Sequence, residues 1–264
     1  MEKGPSDPLD KKLVASCFRA SAATYEESAI VQREISRQLI AIIQRFTRCD
    51  YSRVLEIGCC TGNLTEMLSN ALRIDSFFIN DLVADFCRYT EERIAGRVGR
   101  IYALPGDIEK NLLPKNLDLV ISSSTFQWMV DFPGLLTNIS SALNDAGHLA
   151  FSIFSPGTMG EISALTGRGL RYHTSDEIAT MLTDHFQVIS IHSETKRLFF
   201  PSVRAVLRHI RQTGVGGVDP KKMSIRQLKE FERRYVEQFL SEDGLPVTYI
   251  STFVIAEKKK GARP

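Results

Sequence analysis

The chain has 264 residues, 43% of them hydrophobic, and its 33 basic and 31 acidic residues leave a formal net charge of +2. That size and apolar content support one core with insertions rather than two separate domains, and the near-neutral balance removes the global attraction on which nucleic-acid binders rely. Five cysteines at irregular spacing suit a reducing compartment better than a disulfide framework. The stretch Met1 to Asp10 lacks a signal peptide's apolar centre, and no run of about 18 apolar residues is present to span a membrane. A cytoplasmic location is therefore expected.

Residues 1–50 read as an N-terminal helical cap or lid over residues 51–264. From Leu13 to Phe46 the pattern is helical, with Ile30, Val31, Ile35, Leu39, Ile42, Ile43 and Phe46 on one face. The segment Phe18-Arg19-Ala20-Ser21-Ala22-Ala23-Thr24-Tyr25 lies between two expected cap helices. It reads either as a connection with Tyr25 packed on the core or as a lid over a pocket, and taken alone it favours the connection.

Val54-Leu55-Glu56-Ile57 is a buried strand that breaks into the turn Gly58-Cys59-Cys60-Thr61-Gly62, followed by a helix from Asn63 to Leu72. Glycines there let the backbone turn sharply and approach a ligand, and the helix start offers free amides. A second strand, Phe77-Phe78-Ile79-Asn80-Asp81, ends in an acid placed to accept both ribose hydroxyls of a nucleoside. A helix from Val83 to Ile94 and a third strand near Ile101-Tyr102-Ala103-Leu104 precede the turn Pro105-Gly106-Asp107-Ile108. Asp107 could accept from a purine's exocyclic amine while Ile108 packs on the ring, although such a turn needs no ligand to explain it.

The fourth strand, Leu117 to Ser122, runs into Ser123-Ser124-Thr125-Phe126-Gln127-Trp128, where ligand and substrate would meet at the strand's carboxyl end. Trp128, the sole tryptophan, reads as a core residue or as a wall of the substrate pocket. A helix to Leu143 and a strand from Gly147 to Phe154 complete an alternation that implies a mainly parallel sheet covered on both faces. Beyond it come a glycine-rich stretch, a helix from Ser175 to Leu182 capped by Ser175, and a strand at Val188–Ile191. Pro201 opens a helix with Arg204, Arg208 and Arg211 on one face, Thr213 to Gly217 breaks the chain, and Ser224 to Leu240 is an amphipathic helix. Val247 to Ala256 is the last strand, and the Lys258-Lys259-Lys260 tail is expected to fray. Insertions at 155–185 and 200–240 are expected to bind substrate.

The turn lacks G-x-G-x-x-G and no Walker lysine follows it, which leaves a phosphate-free nucleoside such as S-adenosylmethionine. Glu56 could help make an electron-rich surrounding for its sulfonium. No His-x-x-x-His or Cys-x-x-Cys pair suggests a metal.

LEIGCCTG, the acid of FINDL, GDIE and LDLVISSSTFQW resemble the successive motifs of class I S-adenosylmethionine-dependent methyltransferases over Ser52 to Phe154. FRASAATYEESAIVQREI, SSTFQWMVD, SPGTMGEI, LTGRGLRYH and VLRHIRQTGVGG extend the likeness over nearly the whole chain to the BioC family of malonyl-carrier-protein O-methyltransferases of biotin synthesis. The resemblance implies an α/β Rossmann-like fold with a seven-stranded, mainly parallel sheet, an antiparallel last strand, helices on both faces, an N-terminal helical cap and a helical insertion. It implies S-adenosylmethionine as cofactor, bound by Glu56, Gly58, Cys60, Gly62, Asp81, Leu82, Asp107, Ile108 and Ser123. Two departures stand out: Cys60 replaces a usual glycine, and Gly216-Gly217 replaces Asn-Ala. A side chain at Cys60 could crowd the cofactor or demand an unusual backbone angle.

The implied reaction methylates the free carboxylate of malonyl-acyl carrier protein or malonyl-CoA. That carboxylate is ionised at neutral pH and needs no general base. Arg208 and then Arg171 are the candidates to orient it, with Tyr25 as a hydrogen-bonding partner and Trp128 as a wall for the acyl chain. Arg204, Arg211, Lys221, Lys222, Arg226, Arg233 and Arg234 could form a patch for an acidic carrier protein, or be an ordinary solvated face. Neither nucleic acid nor membrane is an expected partner, and a monomer is expected. Another small-acid or natural-product methyltransferase, or a non-catalytic relative with a blocked pocket, stays open as an alternative.

Overall fold

The apolar runs of the sequence become the inner strands of one seven-stranded sheet. The computed structural model describes residues 9–213 and 224–261, so Gly216, Gly217, Lys221 and Lys222 lie outside the described residues. In chain order the strands are β1 (Asp50–Ile57), β2 (Arg73–Asp81), β3 (Arg100–Pro105), β4 (Leu117–Ser123), β5 (Leu143–Phe154), β6 (Phe186–Phe200) and β7 (Leu245–Lys258). Their order across the sheet is β3-β2-β1-β4-β5-β7-β6. Pairs from β3 to β5 are parallel, and β7 runs antiparallel to both β5 and β6. This is the expected α/β arrangement with an antiparallel last strand.

Because both faces are covered, alternate residues of β1 feed two cores. Val54 joins one cluster with Phe77, Ile79, Leu119 and Ile121, while Leu55 and Ile57 join another with Val120, Leu149 and Phe151. The first cluster is sealed by α2 (Ile30–Phe46), α3 (Asn63–Ala71), α4 (Ala84–Arg93), α8 (Val203–Gln212) and α9 (Ile225–Phe239). The second is sealed by α5 (Phe132–Ala142) and α7 (Ser175–Leu182). The remaining helices are α1 (Lys11–Ser28) and the short α6 (Gly160–Thr166).

Four local expectations change. Phe18 to Tyr25 is not a connection but the middle of α1; the break falls at Ala29, whose N–H donates to the Tyr25 carbonyl at 2.8 Å. Ala29 is fully buried, and its lack of bulk lets the two helices meet. Helix α7 is capped by Thr174, not Ser175: Thr174 and Glu177 form a reciprocal capping box. The strand expected at Val188–Ile191 runs on to Phe200 because β7 gives it a partner along its whole length. The lysine tail is tied down instead of fraying, since Lys258 Nζ donates to the Leu143 carbonyl at 2.8 Å and Lys259 N–H to His185 at 3.0 Å.

Helix α2 belongs to the main core: Leu39 and Ile43 are fully buried beside the sheet. Replacing Leu39 by Ala should destabilise the protein by roughly 2–5 kcal/mol, the usual range for a buried leucine. Urea denaturation should show a lower midpoint at unchanged slope.

Candidate active site

Beyond Ile57 the chain must reverse at once to start α3. Gly58 (φ 81°), Cys60 (φ 47°) and Gly62 (φ 84°) all adopt the left-handed conformation, which glycine takes freely and cysteine only with strain. The unusual angle expected at Cys60 is present. The tip of β2 holds the turn: the Gly58 and Cys59 N–H groups donate to the Asn80 carbonyl at 2.8 and 2.9 Å, and the Cys60 N–H donates to Asp81 Oδ2 at 2.9 Å. Asn80 Nδ2 donates to the carbonyls of Leu104 (2.7 Å) and Gly106 (3.0 Å), fixing the turn after β3 as well. On its other side, Thr90 Oγ1 donates to the Cys60 carbonyl at 3.2 Å and Arg93 to the Thr61 carbonyl at 2.8 Å. Arg93 also pairs with Glu66 at 2.7 Å and with Glu26, so one guanidinium joins α1, the turn, α3 and α4. Sequence reading missed Arg93 and the carbonyl-tying role of Asn80, since no spacing rule links groups so far apart in the chain.

An open cavity of about 730 Å³, counting its solvent-filled mouth, lies over this turn. Of the nine cofactor candidates, Gly58, Cys60, Asp81, Leu82, Asp107, Ile108 and Ser123 line it. Gly62 caps α3 and packs toward Thr90 instead. Glu56 is fully buried off the cavity wall, on the β1 face opposite Leu55 and Ile57, with neither carboxylate oxygen partnered. Burial pushes its pKa to about 8, with nearby Asp81 adding and Thr65 opposing. That shift favours the uncharged carboxyl in the free protein, and Glu56 stands off the wall of the cavity where an electron-rich surrounding was expected.

Asp81 lines the cavity with both oxygens already accepting backbone N–H groups, the second from Val83 at 2.8 Å. Each carboxylate oxygen has a second lone pair for a ribose hydroxyl. Burial raises its pKa to about 6 against those two N–H donors. Asp107 is engaged by Lys11 of α1 at 2.5 Å, and Lys11 also pairs with Glu109. Glu109 accepts in turn from the N–H groups of Val130 (3.0 Å) and Asp131 (2.6 Å). The acid expected to meet a purine amine is therefore ion-paired to the cap here.

Helix α1 covers the cavity with Lys11, Val14, Ala15, Phe18 and Tyr25, so the segment read as a connection is part of the wall. Burial, and next the adjacent Cys60, raise the Tyr25 pKa, which keeps its hydroxyl protonated as a hydrogen-bond donor. Trp128 is 6% exposed, lines the cavity and meets Phe18 edge-on at 5.8 Å and 89°. Arg171 and Arg208 are not brought to this cavity. Arg171 is exposed, 4.0 Å from Glu177. Arg208 shares the exposed face of α8 with Arg204 and Arg211, because Val203, Val206, His209 and Ile210 occupy the buried face.

The wall suits a nucleoside cofactor. A side-chain-free approach is available over Gly58, Asp81 can take two hydroxyls, and Ile108 offers an apolar surface. Ser124 and Trp128 line the cavity, and their buried Oγ and Nε1 atoms have no hydrogen-bond partner. Gly58 itself admits no side chain, since a Cβ there would lie 2.1 Å from Thr125 Oγ1. Gly58→Ala should destabilise the protein by about 2–5 kcal/mol, from the left-handed angle plus overpacking. Adding Thr125→Ala should recover only the packing part, as read from thermal midpoints.

The family model described as "Methyltransferase domain" matches residues 55–149, the stretch from β1 into β5. A malonyl-[acyl-carrier protein] O-methyltransferase of Chlorobium phaeovibrioides is 36% identical over 255 residues, covering 95% of this chain and 98% of that protein. One of Haemophilus ducreyi is 34% identical, covering 96% and 99%. Among solved structures, a putative methyltransferase of Bacillus halodurans matches with TM-score 0.59 at 15% identity, covering 83% of this chain and 97% of that one. The Bradyrhizobium japonicum N-methyltransferase NodS, solved with S-adenosylhomocysteine, matches with TM-score 0.52 at 14% identity, covering 90% and 99%. These structures share the fold, and the near-full-length sequence relatives narrow the assignment: the chain belongs to the malonyl-[acyl-carrier protein] O-methyltransferase family.

Proposed function

We propose that this protein methylates the free carboxylate of a malonyl thioester carried on acyl carrier protein, an early step of biotin synthesis. The observation that supports it best is the juxtaposition of the Gly58–Gly62 turn and Asp81 with Tyr25 and Trp128 in one cavity under α1. The cofactor is S-adenosylmethionine, whose sulfonium presents a methyl group that a carboxylate oxygen takes up, with the carbon–sulfur electron pair left on sulfur and no proton released. Asp81 holds the ribose, Leu82 and Ile108 flank the base, and the turn backbone with Ser123 lies along the remainder.

The protein's own residues have little proton chemistry to do. Positioning a nucleophile can supply roughly 7–11 kcal/mol of a barrier, and here the positioning groups are α1, Tyr25 and the loop after β4. Apolar Val14, Phe18, Ile57 and Met129 keep water from the acceptor. A reaction that joins an anion to a cation and disperses both charges is favoured where water does not hold those charges apart.

The exposed α8 arginines, Arg204, Arg208 and Arg211, together with Arg226 of α9, make a surface for an acidic carrier protein. Arg233 contributes less because Glu230 and Glu237 already pair with it, and Arg204 is shared with Glu232 at 3.5 Å. Coenzyme A's phosphates would also suit a basic surface, and it is the relatives named for acyl carrier protein that support that protein as the handle. Arg208 acts in carrier docking, and Arg171, at the surface, is not assigned to the acceptor. Residues 1–50 serve as the cap, 51–264 as the catalytic part, and 155–185 and 200–240 as substrate-side insertions. No helix among the described residues is long and apolar enough to cross a membrane; a biosynthetic carrier-protein substrate supports a cytoplasmic enzyme, and a monomer completes the reading.

Malonyl thioester should be methylated, succinyl thioester more slowly, and acetyl thioester, which has no acceptor carboxylate, not at all; equal turnover of all three would overturn the reading. Raising salt should slow turnover of malonyl-acyl carrier protein and leave a small malonyl thioester unaffected.

Asp81 sets a pH dependence. Its folded pKa of about 6 lies above the unfolded value of about 3.9, so protonation stabilises the free protein. That contribution is lost as pH rises between the two values. Ribose hydroxyls require the ionised form, so S-adenosylhomocysteine affinity, measured by calorimetry, should fall as pH drops through about 6. Asp81→Asn should bind weakly with that step removed.

A further inference from the structure

We propose that the acceptor carboxylate is gripped by two neutral donors from a single loop, the indole N–H of Trp128 and the hydroxyl of Ser124, and not by an arginine. The inference rests on the carboxyl-methylation reading above. Both atoms are buried without a hydrogen-bond partner, and both residues line the cavity. An indole N–H can only donate, so whatever completes Trp128 must be an acceptor. Leaving such a group unmet is costly enough that few buried ones persist without a functional reason.

The loop holds these donors firmly while leaving them unused. The Ser124 backbone N–H donates to the Ser152 carbonyl at 2.9 Å, Gln127 Nε2 donates to the Ser124 carbonyl at 2.5 Å, and the Trp128 N–H of the main chain donates to Thr125 at 3.0 Å. Phe18 packs edge-on against the indole from α1, so the cap helps to hold the ring in place. Among the described residues the wall carries one cation, Lys11, and it is already shared by Asp107 and Glu109.

Topology separates this pair from the nucleoside. Asp81 and Asp107 stand at the tips of β2 and β3 on one side of β1, whereas Ser124 and Trp128 follow β4 on the other side. A molecule that starts on the two acids and crosses the glycine turn brings its far end toward the β4 loop, where the acceptor must lie. Neutral donors also suit the chemistry: they orient a carboxylate while leaving it a better nucleophile than a guanidinium pair would.

The test uses the full chain with S-adenosylhomocysteine, a malonyl thioester of N-acetylcysteamine and the methyl ester of that thioester, followed by calorimetry. Trp128→Phe keeps a ring against Phe18 but has no N–H, and Ser124→Ala removes the hydroxyl. Each should weaken the carboxylate ligand by roughly 10- to 100-fold, the range for a lost hydrogen bond to a charged group. The methyl ester and S-adenosylhomocysteine should change by less than about three-fold. Unchanged carboxylate affinity would overturn the proposal. An equal loss for the methyl ester would reduce Trp128 to packing, and an equal loss for S-adenosylhomocysteine would move the donors to the cofactor's own carboxylate. Should Trp128→Phe fail to fold, the wild-type chain reports directly through its sole tryptophan. Its near-UV absorption should shift with the malonyl thioester and not with the acetyl one; identical responses would overturn the proposal. A wild-type enzyme that methylates no malonyl thioester would instead remove the substrate reading on which the proposal stands.

Discussion

Three successive amides, those of Gly58, Cys59 and Cys60, end on the tip of β2, two on the Asn80 carbonyl and one on the Asp81 carboxylate. This small set of hydrogen bonds lets β1 reverse into α3 through left-handed residues without leaving buried amides unpaired. It also aims Asp81 into the cavity and, through the Asn80 side chain, sets where the turn after β3 runs. Thr125 packs so closely on Gly58 that the loop after β4 inherits its position from the same turn. The adenosine side and the acceptor side of the cavity are thereby placed by one constraint.

The two N-terminal helices divide their work. Helix α2 buries seven residues, five of them in the main core, whereas α1 buries only Val14 and Ser21. Helix α1 is held largely by polar links: Lys11 to Asp107 and Glu109, Glu26 to Arg93, and Thr24 to the Gln212 carbonyl. An element held by few apolar contacts opens at lower free energy than one locked into the core. The part of the cavity wall with least burial is thus α1, and its ion pair falls on Asp107, the acid expected to contact the base.

Charge inside the site is sparse for physical reasons. Burial raises the Glu56 carboxyl to about 8 against the help of Thr65, and raises Asp81 to about 6 against the two backbone amides from which it accepts. Tyr25 stays protonated in its apolar setting. The rest of the cavity wall is largely apolar, with Val14, Phe18, Ile57, Phe86, Trp128 and Met129.

The sequence by itself determined the fold class, the alternation of strands and helices, the glycine turn, and the acid Asp81 at the tip of β2. These are consequences of local pattern: apolar runs bounded by turns, and residue types that a left-handed turn demands. The motifs flanking the turn also carried the family. Tertiary structure decided the rest, because it depends on groups distant in the chain. The place where α1 gives way to α2, at fully buried Ala29, follows from packing, and the tethered lysines follow from carbonyls on other elements. Arg208 looked like a ligand for a carboxylate, but the amphipathic face of α8 turned it to solvent. Trp128 looked like a wall, yet only its buried, unpaired N–H, visible once α1, β4 and the turn are assembled, reveals it as a donor.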